Sequence, residues 1–152
     1  MNTNSFVVPA GGGSVLSTAP GRSEVLKLLS GETGGSIMLF EETAPAGTDT
    51  TLHLHRDSDE VAYVLSGEIT FKVGNDVTVG GPGTCAFIRR GAPHAWRNTG
   101  SETARVLFLY TPAGAGGFFE ELLGHPAGSL NGHEANEIRR RHGWEIVGPP
   151  PF

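Results

Sequence analysis

The chain has 152 residues, 38% of them apolar and 18% charged, a balance that excludes a disordered or membrane-embedded chain and gives about one domain with a buried core. Its net charge of −5 argues against a sequence-independent hold on nucleic acid, which needs concentrated positive charge. Small molecules are the expected partners, and apolar runs such as residues 106–110 are far too short to span a bilayer.

From the N-terminus onward, MNTNSFVVPAGGGS shows no basic leader followed by a long apolar segment, so no secretory signal is expected. Cys85 is the lone cysteine and cannot form an internal disulfide; the cytoplasm is the expected location. The 23 Gly and 10 Pro punctuate short segments rich in Val, Ile, Phe and Thr, the spacing of an all-β sandwich or barrel. Strands are predicted at 24–29, 36–42, 51–56, 60–65, 68–73, 76–79, 84–88, 94–98 and 104–110, with Gly74-Asn75 and Gly100 in turns. In EITFKV, Ile69, Phe71 and Val73 alternate with Glu68, Thr70 and Lys72, as a half-buried strand requires. VAYVL and RVLFLY lack a polar side, so a second layer or a second subunit must cover them, and a homodimer is expected. After Gly116 the pattern turns helical, first at FFEELL and then at HEANEIRRRHG, with Asn131 near its start, arginines late and Gly143 as a stop. The end, GPPPF, reads as an extended tail. No repeat or long linker divides the chain, so residues 1–152 form one domain.

The chemistry lies in GTDTTLHLHRDSDEVAYVLSG, residues 47–67. Residues i and i+2 of a strand share a face, so His53 and His55 project side by side and can share one metal. The RDSD stretch is a reversal that would return Glu60 from the adjacent strand toward the same interior. His94, after a Gly-Ala-Pro turn, is the remaining candidate. Three imidazoles and a carboxylate suit Fe, Mn, Ni, Cu, Co or Zn rather than Ca or Mg. One divalent transition metal is therefore the expected cofactor.

These residues resemble the two motifs of the cupins. Gly47, His53, His55, Glu60 and Gly67 match the first in spacing. Gly83, Gly91, His94 and Asn98 match the second, with Arg89 standing where proline is usual. The resemblance implies a double-stranded β-helix, a jelly-roll-like barrel over about 24–112, followed by a short helical tail over about 116–152. It also implies a metal held inside the barrel by His53, His55, Glu60 and His94. Small single-domain cupins of this kind are often compared with quercetin 2,3-dioxygenase, and in that analogy Glu60 is also the general base that takes a phenolic proton.

Other residues have plainer readings. His125, His133 and His142 fall in the tail and read as solvated helix residues. Cys85 reads as a small core residue, Asp57 and Asp59 as turn residues, and Arg89 and Arg90 as a solvated turn. Trp96, two residues after His94, is either a pocket wall or core packing.

A fold does not fix a reaction. The favoured expectation is a metal-dependent dioxygenase acting on a small organic molecule. The alternatives are an isomerase, epimerase or cyclase using the metal as a Lewis acid, and a non-enzymatic small-ligand-binding protein.

Overall fold

The computed structural model describes residues 4–152. Its strands, in chain order, are β1 (Ser14–Ala19), β2 (Arg22–Leu28), β3 (Met38–Ala44), β4 (Leu52–His55), β5 (Asp59–Ser66), β6 (Ile69–Val73), β7 (Asp76–Gly80), β8 (Cys85–Ile88), β9 (His94–Asn98), β10 (Ala104–Thr111) and β11 (Trp144–Gly148). A short 3₁₀ turn at Ala113–Gly116 leads into helix α1 (Gly117–Leu122), and α2 (Gly132–Arg141) follows. The strands form two antiparallel sheets in the orders β1-β2-β3-β10-β5-β8 and β11-β4-β9-β6-β7. This is the double-stranded β-helix with a short C-terminal helical segment that the sequence predicts.

Side-chain alternation explains why the sheets close on each other. Met38, Phe40, Glu42 and Ala44 on β3, and Ala104, Val106, Phe108 and Tyr110 on β10, are all buried on the inner face. Phe40 lies opposite Phe108 across these strands, and their rings stack with centroids 5.2 Å apart. The turn between β5 and β6 needs glycine: Gly67 has φ +85°, and a Cβ there would meet Ala104 at 2.7 Å.

Every predicted strand forms, within a residue or two at each end. Three features differ. β1 pairs with β2 at the sheet edge although its sequence carries no apolar alternation; only Leu16 in it is buried. The helical tail also returns to the body as β11, which pairs with β4 so that Trp144 faces His55 and Ile146 faces His53. Cys85, read as a core residue, is exposed because the inward positions of β8 are the alternate ones, ending at Ile88.

Helix α2 begins with the expected cap: the Glu134 amide donates to Asn131 Oδ1 at 2.8 Å, and the Asn131 amide donates to Glu134 Oε1 at 3.1 Å. It packs against β11 and α1. On the outer face of β5 and β8, Tyr63, Leu65 and Phe87 remain exposed.

Candidate metal centre

β4 carries His53 and His55 on its inward positions, and both are buried. β9 runs beside it with His94 directly opposite His53. Glu60 arrives differently from the expectation. β4 and β5 are not hydrogen-bonded neighbours but lie in opposite sheets, so residues 56–58 cross the barrel and Glu60 faces the histidines from the other wall. The carboxylate joins the same interior by crossing over rather than by pairing.

The turn before His94 is held firmly without the usual proline. The Ala92 amide donates to the Arg89 carbonyl at 3.0 Å, and the Gly91 amide donates to the His55 carbonyl at 2.7 Å. Arg90 clamps Asp59 through its backbone amide at 2.9 Å and through Nε and NH2 at 3.1 Å each. Asp59 is thereby pulled down to about 2 by its hydrogen bonds with Arg90. Arg90 is a turn residue, as read from the sequence, whereas Asp59 opens β5 opposite Thr111 rather than lying in a turn.

One ring nitrogen from each of His53, His55 and His94 lies within 4.8 Å of the others. His53 Nδ1 meets the Thr51 carbonyl at 2.7 Å and His94 Nδ1 meets the Ala92 carbonyl at 2.9 Å. A carbonyl can only accept, so each Nδ1 carries the proton and each Nε2 is left to face the cluster. Glu60 Oε2 comes within 2.7 Å of His94 Nε2 and 4.0 Å of His55 Nε2. Glu60 Oε2, His94 Nε2 and both nitrogens of His55 are buried with no hydrogen-bond partner among the described residues.

Burial sets the charges. It pushes His53 down to about 4, with the neighbouring His94 adding to the effect, and pushes His55 down to about 3 against the pull of Glu60. Burial alone would raise Glu60, but the imidazoles of His94, His55 and His53 overcome it and hold the carboxyl at about 2. His94 is raised because Glu60 outweighs its burial. The cluster therefore combines an ionised carboxylate with two imidazoles kept neutral, the forms that ligate a metal.

The donor set fits a transition metal. Buried nitrogens and oxygens without partners are costly unless something fills the space between them. Three nitrogens that share one ion at about 2.1 Å lie no more than about 3.6 Å apart, so the rings would draw in by about an ångström on binding it.

The cluster opens into a cavity of about 410 Å³ whose lining includes His53, Glu60, Tyr110 and Trp144. Trp96 is a wall of this cavity and also packs on Phe108, with ring centroids 5.7 Å apart. Tyr110, a site residue that no sequence motif marks, is fully buried, and its hydroxyl is raised by burial and by the charges of Glu60 and Glu42. Period-2 alternation along RVLFLY is the signal that could have placed it on the inner face. Trp144 is likewise unmarked by any motif; its ring stacks on His53 with centroids 5.2 Å apart and planes 11° apart. His142 is a tail residue in contact with Glu121 at 2.7 Å and takes no part in the ligand cluster.

Comparison with known families matches residues 40–110 to the cupin domain. The fold is a cupin fold. The match contains all of His53, His55, Glu60 and His94. No curated protein matches the sequence. Among solved structures, this cupin barrel is similar to the TT1209 protein of Thermus thermophilus, at 28% identity and TM-score 0.56 over 62% of this chain and 86% of that one. It is also similar to a sugar phosphate isomerase of the cupin superfamily from Silicibacter pomeroyi, at 24% identity and TM-score 0.52 over 60% of each chain. The polyketide cyclase RemF of Streptomyces resistomycificus aligns at 20% identity and TM-score 0.60 over 72% of this chain and 80% of that one. At these identities the last two show the fold alone. No described helix is long and apolar enough to cross a membrane.

Proposed function

We propose that the protein is a metal-dependent enzyme acting on a small aromatic molecule, with a dioxygenase of quercetinase type as the favoured reaction. The observation that carries this reading is the position of the partnerless donor cluster at one wall of a cavity otherwise rich in aromatic rings. Phe40, Trp96, Phe108, Phe118, Phe119 and Trp144 all line it. Its volume suits a small organic ligand, and flat apolar walls suit a ring system better than a sugar phosphate. The two cations on the lining, Arg22 and Arg139, are already occupied: Arg22 by Glu42 at 3.1 Å, and Arg139 over the Phe118 ring at 4.6 Å.

In this reading His53, His55, Glu60 and His94 hold the ion. A divalent transition metal bound there would polarise a substrate oxygen and leave positions open for exogenous ligands. His53 and His94 are aimed by their Nδ1 bonds to Thr51 and Ala92. Glu60 is the general base: its carboxylate is ionised, buried and beside the cavity, where it can take a proton from a phenolic hydroxyl. The surrounding rings exclude water from that transfer.

A Lewis-acid isomerase or cyclase is the second reading, favoured by the Glu60 and Tyr110 pair, which offers a base and a phenol on neighbouring strands for moving protons without an oxidant. The two separate by oxygen uptake. Metal-loaded protein mixed with flavonols should consume dioxygen in proportion to flavonol lost; product formed in an anaerobic vessel would decide for the Lewis-acid reaction.

A further inference from the structure

At the far side of the cavity from the histidines stands a second buried acid pair that metal binding does not use. Glu24 on β2 and Glu42 on β3 are directly opposite each other, and both are buried. Like charges so placed repel, and the neighbours that relieve them are few. Arg22 donates to Glu42 Oε1 through Nε at 3.2 Å and NH2 at 3.1 Å, and its Nε lies 3.7 Å from Glu24 Oε1. Thr18 Oγ1 donates to the Glu24 carboxylate at 3.1 Å. Glu42 Oε2 has no partner among the described residues, and Glu42 lines the cavity. A buried carboxyl oxygen without a partner, on a residue that lines a cavity, is a hydrogen-bonding group that a ligand in the cavity would satisfy.

We propose that Glu42, backed by Glu24 and Arg22, is the second recognition point of the cavity, hydrogen-bonding a hydroxyl at the end of an aromatic substrate remote from the histidine cluster. The inference rests on the functional reading above for the other end of that substrate. Charge selects the hydroxyl. Burial raises Glu42 well above the ordinary carboxyl range, with Arg22 opposing and Glu24 reinforcing the rise. Arg22 is engaged by Glu42 and lies against Glu24, so it offers no free charge to a ligand carboxylate, and a hydroxyl fits a carboxyl group whose ionised form burial disfavours. Length selects the ring system. Glu60 aligns with Tyr110 and Glu42 with Val106 on the shared strand β10, which at 3.4 Å per residue separates their backbones by about 14 Å along the strand. A multi-ring molecule can reach from one to the other, with Phe40 and Phe108 along the way; a single ring cannot.

The test compares three probes on metal-loaded full-length protein by calorimetry. 3-Hydroxyflavone carries the chelating oxygens alone, while 3,4′- and 3,7-dihydroxyflavone add one hydroxyl at either remote end. One of the two dihydroxyflavones should bind wild type about tenfold more tightly than 3-hydroxyflavone, the worth of one good buried hydrogen bond. Glu42→Leu should erase that ratio and Glu42→Gln should restore part of it. Should Glu42→Leu show no cooperative melt, Glu42→Met reads the same ratio. Equal affinities in wild type, or a ratio that survives loss of the carboxyl, would overturn the Glu42 site alone. No binding of 3-hydroxyflavone to wild type would overturn the functional reading and this inference together.

Discussion

The indole of Trp144 lies flat against the imidazole of His53, with ring planes 11° apart, and edge-on to that of His55, with centroids 4.4 Å apart. The C-terminal strand thus braces the ligand strand from behind its histidines. Trp144 is itself fixed, because its Nε1 donates to the Ala115 carbonyl at 2.9 Å and its ring packs on Phe118.

Trp144→Ala should therefore act on stability and on metal affinity together. Removing a buried indole costs about 3 to 5 kcal/mol, and freeing a ligand's orientation weakens metal binding by about 10- to 100-fold. Trp144→Phe keeps the packing, loses the one hydrogen bond and should cost only about 1 kcal/mol. Denaturant melts with and without metal measure both effects; a Trp144→Ala protein with wild-type affinity would separate the strand from the site.

Metal-free protein should lose stability as pH falls from 6.5 toward 5. His53 and His55 have folded values of about 4 and 3 against 6.5 unfolded, so in this window the unfolded chain takes up two protons that the folded protein refuses. Glu42, raised on folding, works in the opposite direction. His94, raised on folding, adds stability that is present below 6.5 and fades as pH rises. Glu60, lowered to about 2, is ionised in both states here and loses its contribution only in stronger acid. Each of the two histidines contributes up to about 1.4 kcal/mol per pH unit where its unfolded form alone is protonated, and Glu42 offsets part of their sum. Urea midpoints across this range check it, and a flat profile would contradict the burial of neutral imidazoles.

The strand pattern was legible because half-buried strands alternate visibly and glycines mark their ends. The histidine cluster was legible because two histidines at i and i+2 must share a face whatever the rest of the barrel does. Glu60 was correctly assigned to the interior, but its crossing to the opposite sheet was not readable, since RDSD reads equally as a hairpin turn. β11 was hidden for another reason. WEIVG follows a helix and a glycine stop, and its strand character comes from pairing with β4, a contact distant in sequence. Glu42 sits in MLFEETA, where a single inward acid cannot be told from an outward one until the register with Glu24 is known.

Glu60→Gln should retain the fold and reduce turnover more than substrate binding. Loss of a general base lowers kcat by about 10²- to 10⁴-fold, whereas the amide still fills the space beside His94. Steady-state oxygen uptake with a flavonol, alongside calorimetric binding, gives both numbers. A fall in affinity as large as the fall in kcat would assign Glu60 to holding the metal and substrate alone.

The exposed Tyr63, Leu65 and Phe87 on the outer face of β5 and β8 lead us to propose a homodimer formed through this surface. Phe87→Asp should then dissociate it. Sedimentation at micromolar concentration should give twice the 16.0 kDa chain mass for wild type and the chain mass for the variant; wild type sedimenting as a single chain would remove the interface.

Whether His53, His55, Glu60 and His94 form one metal site is tested most directly by metal analysis of protein purified without added salts. About one transition-metal ion per chain is expected in wild type, and almost none in the His53→Ala, His94→Ala double variant, which should still melt in one cooperative transition. Full metal occupancy in that folded double variant would contradict the assignment.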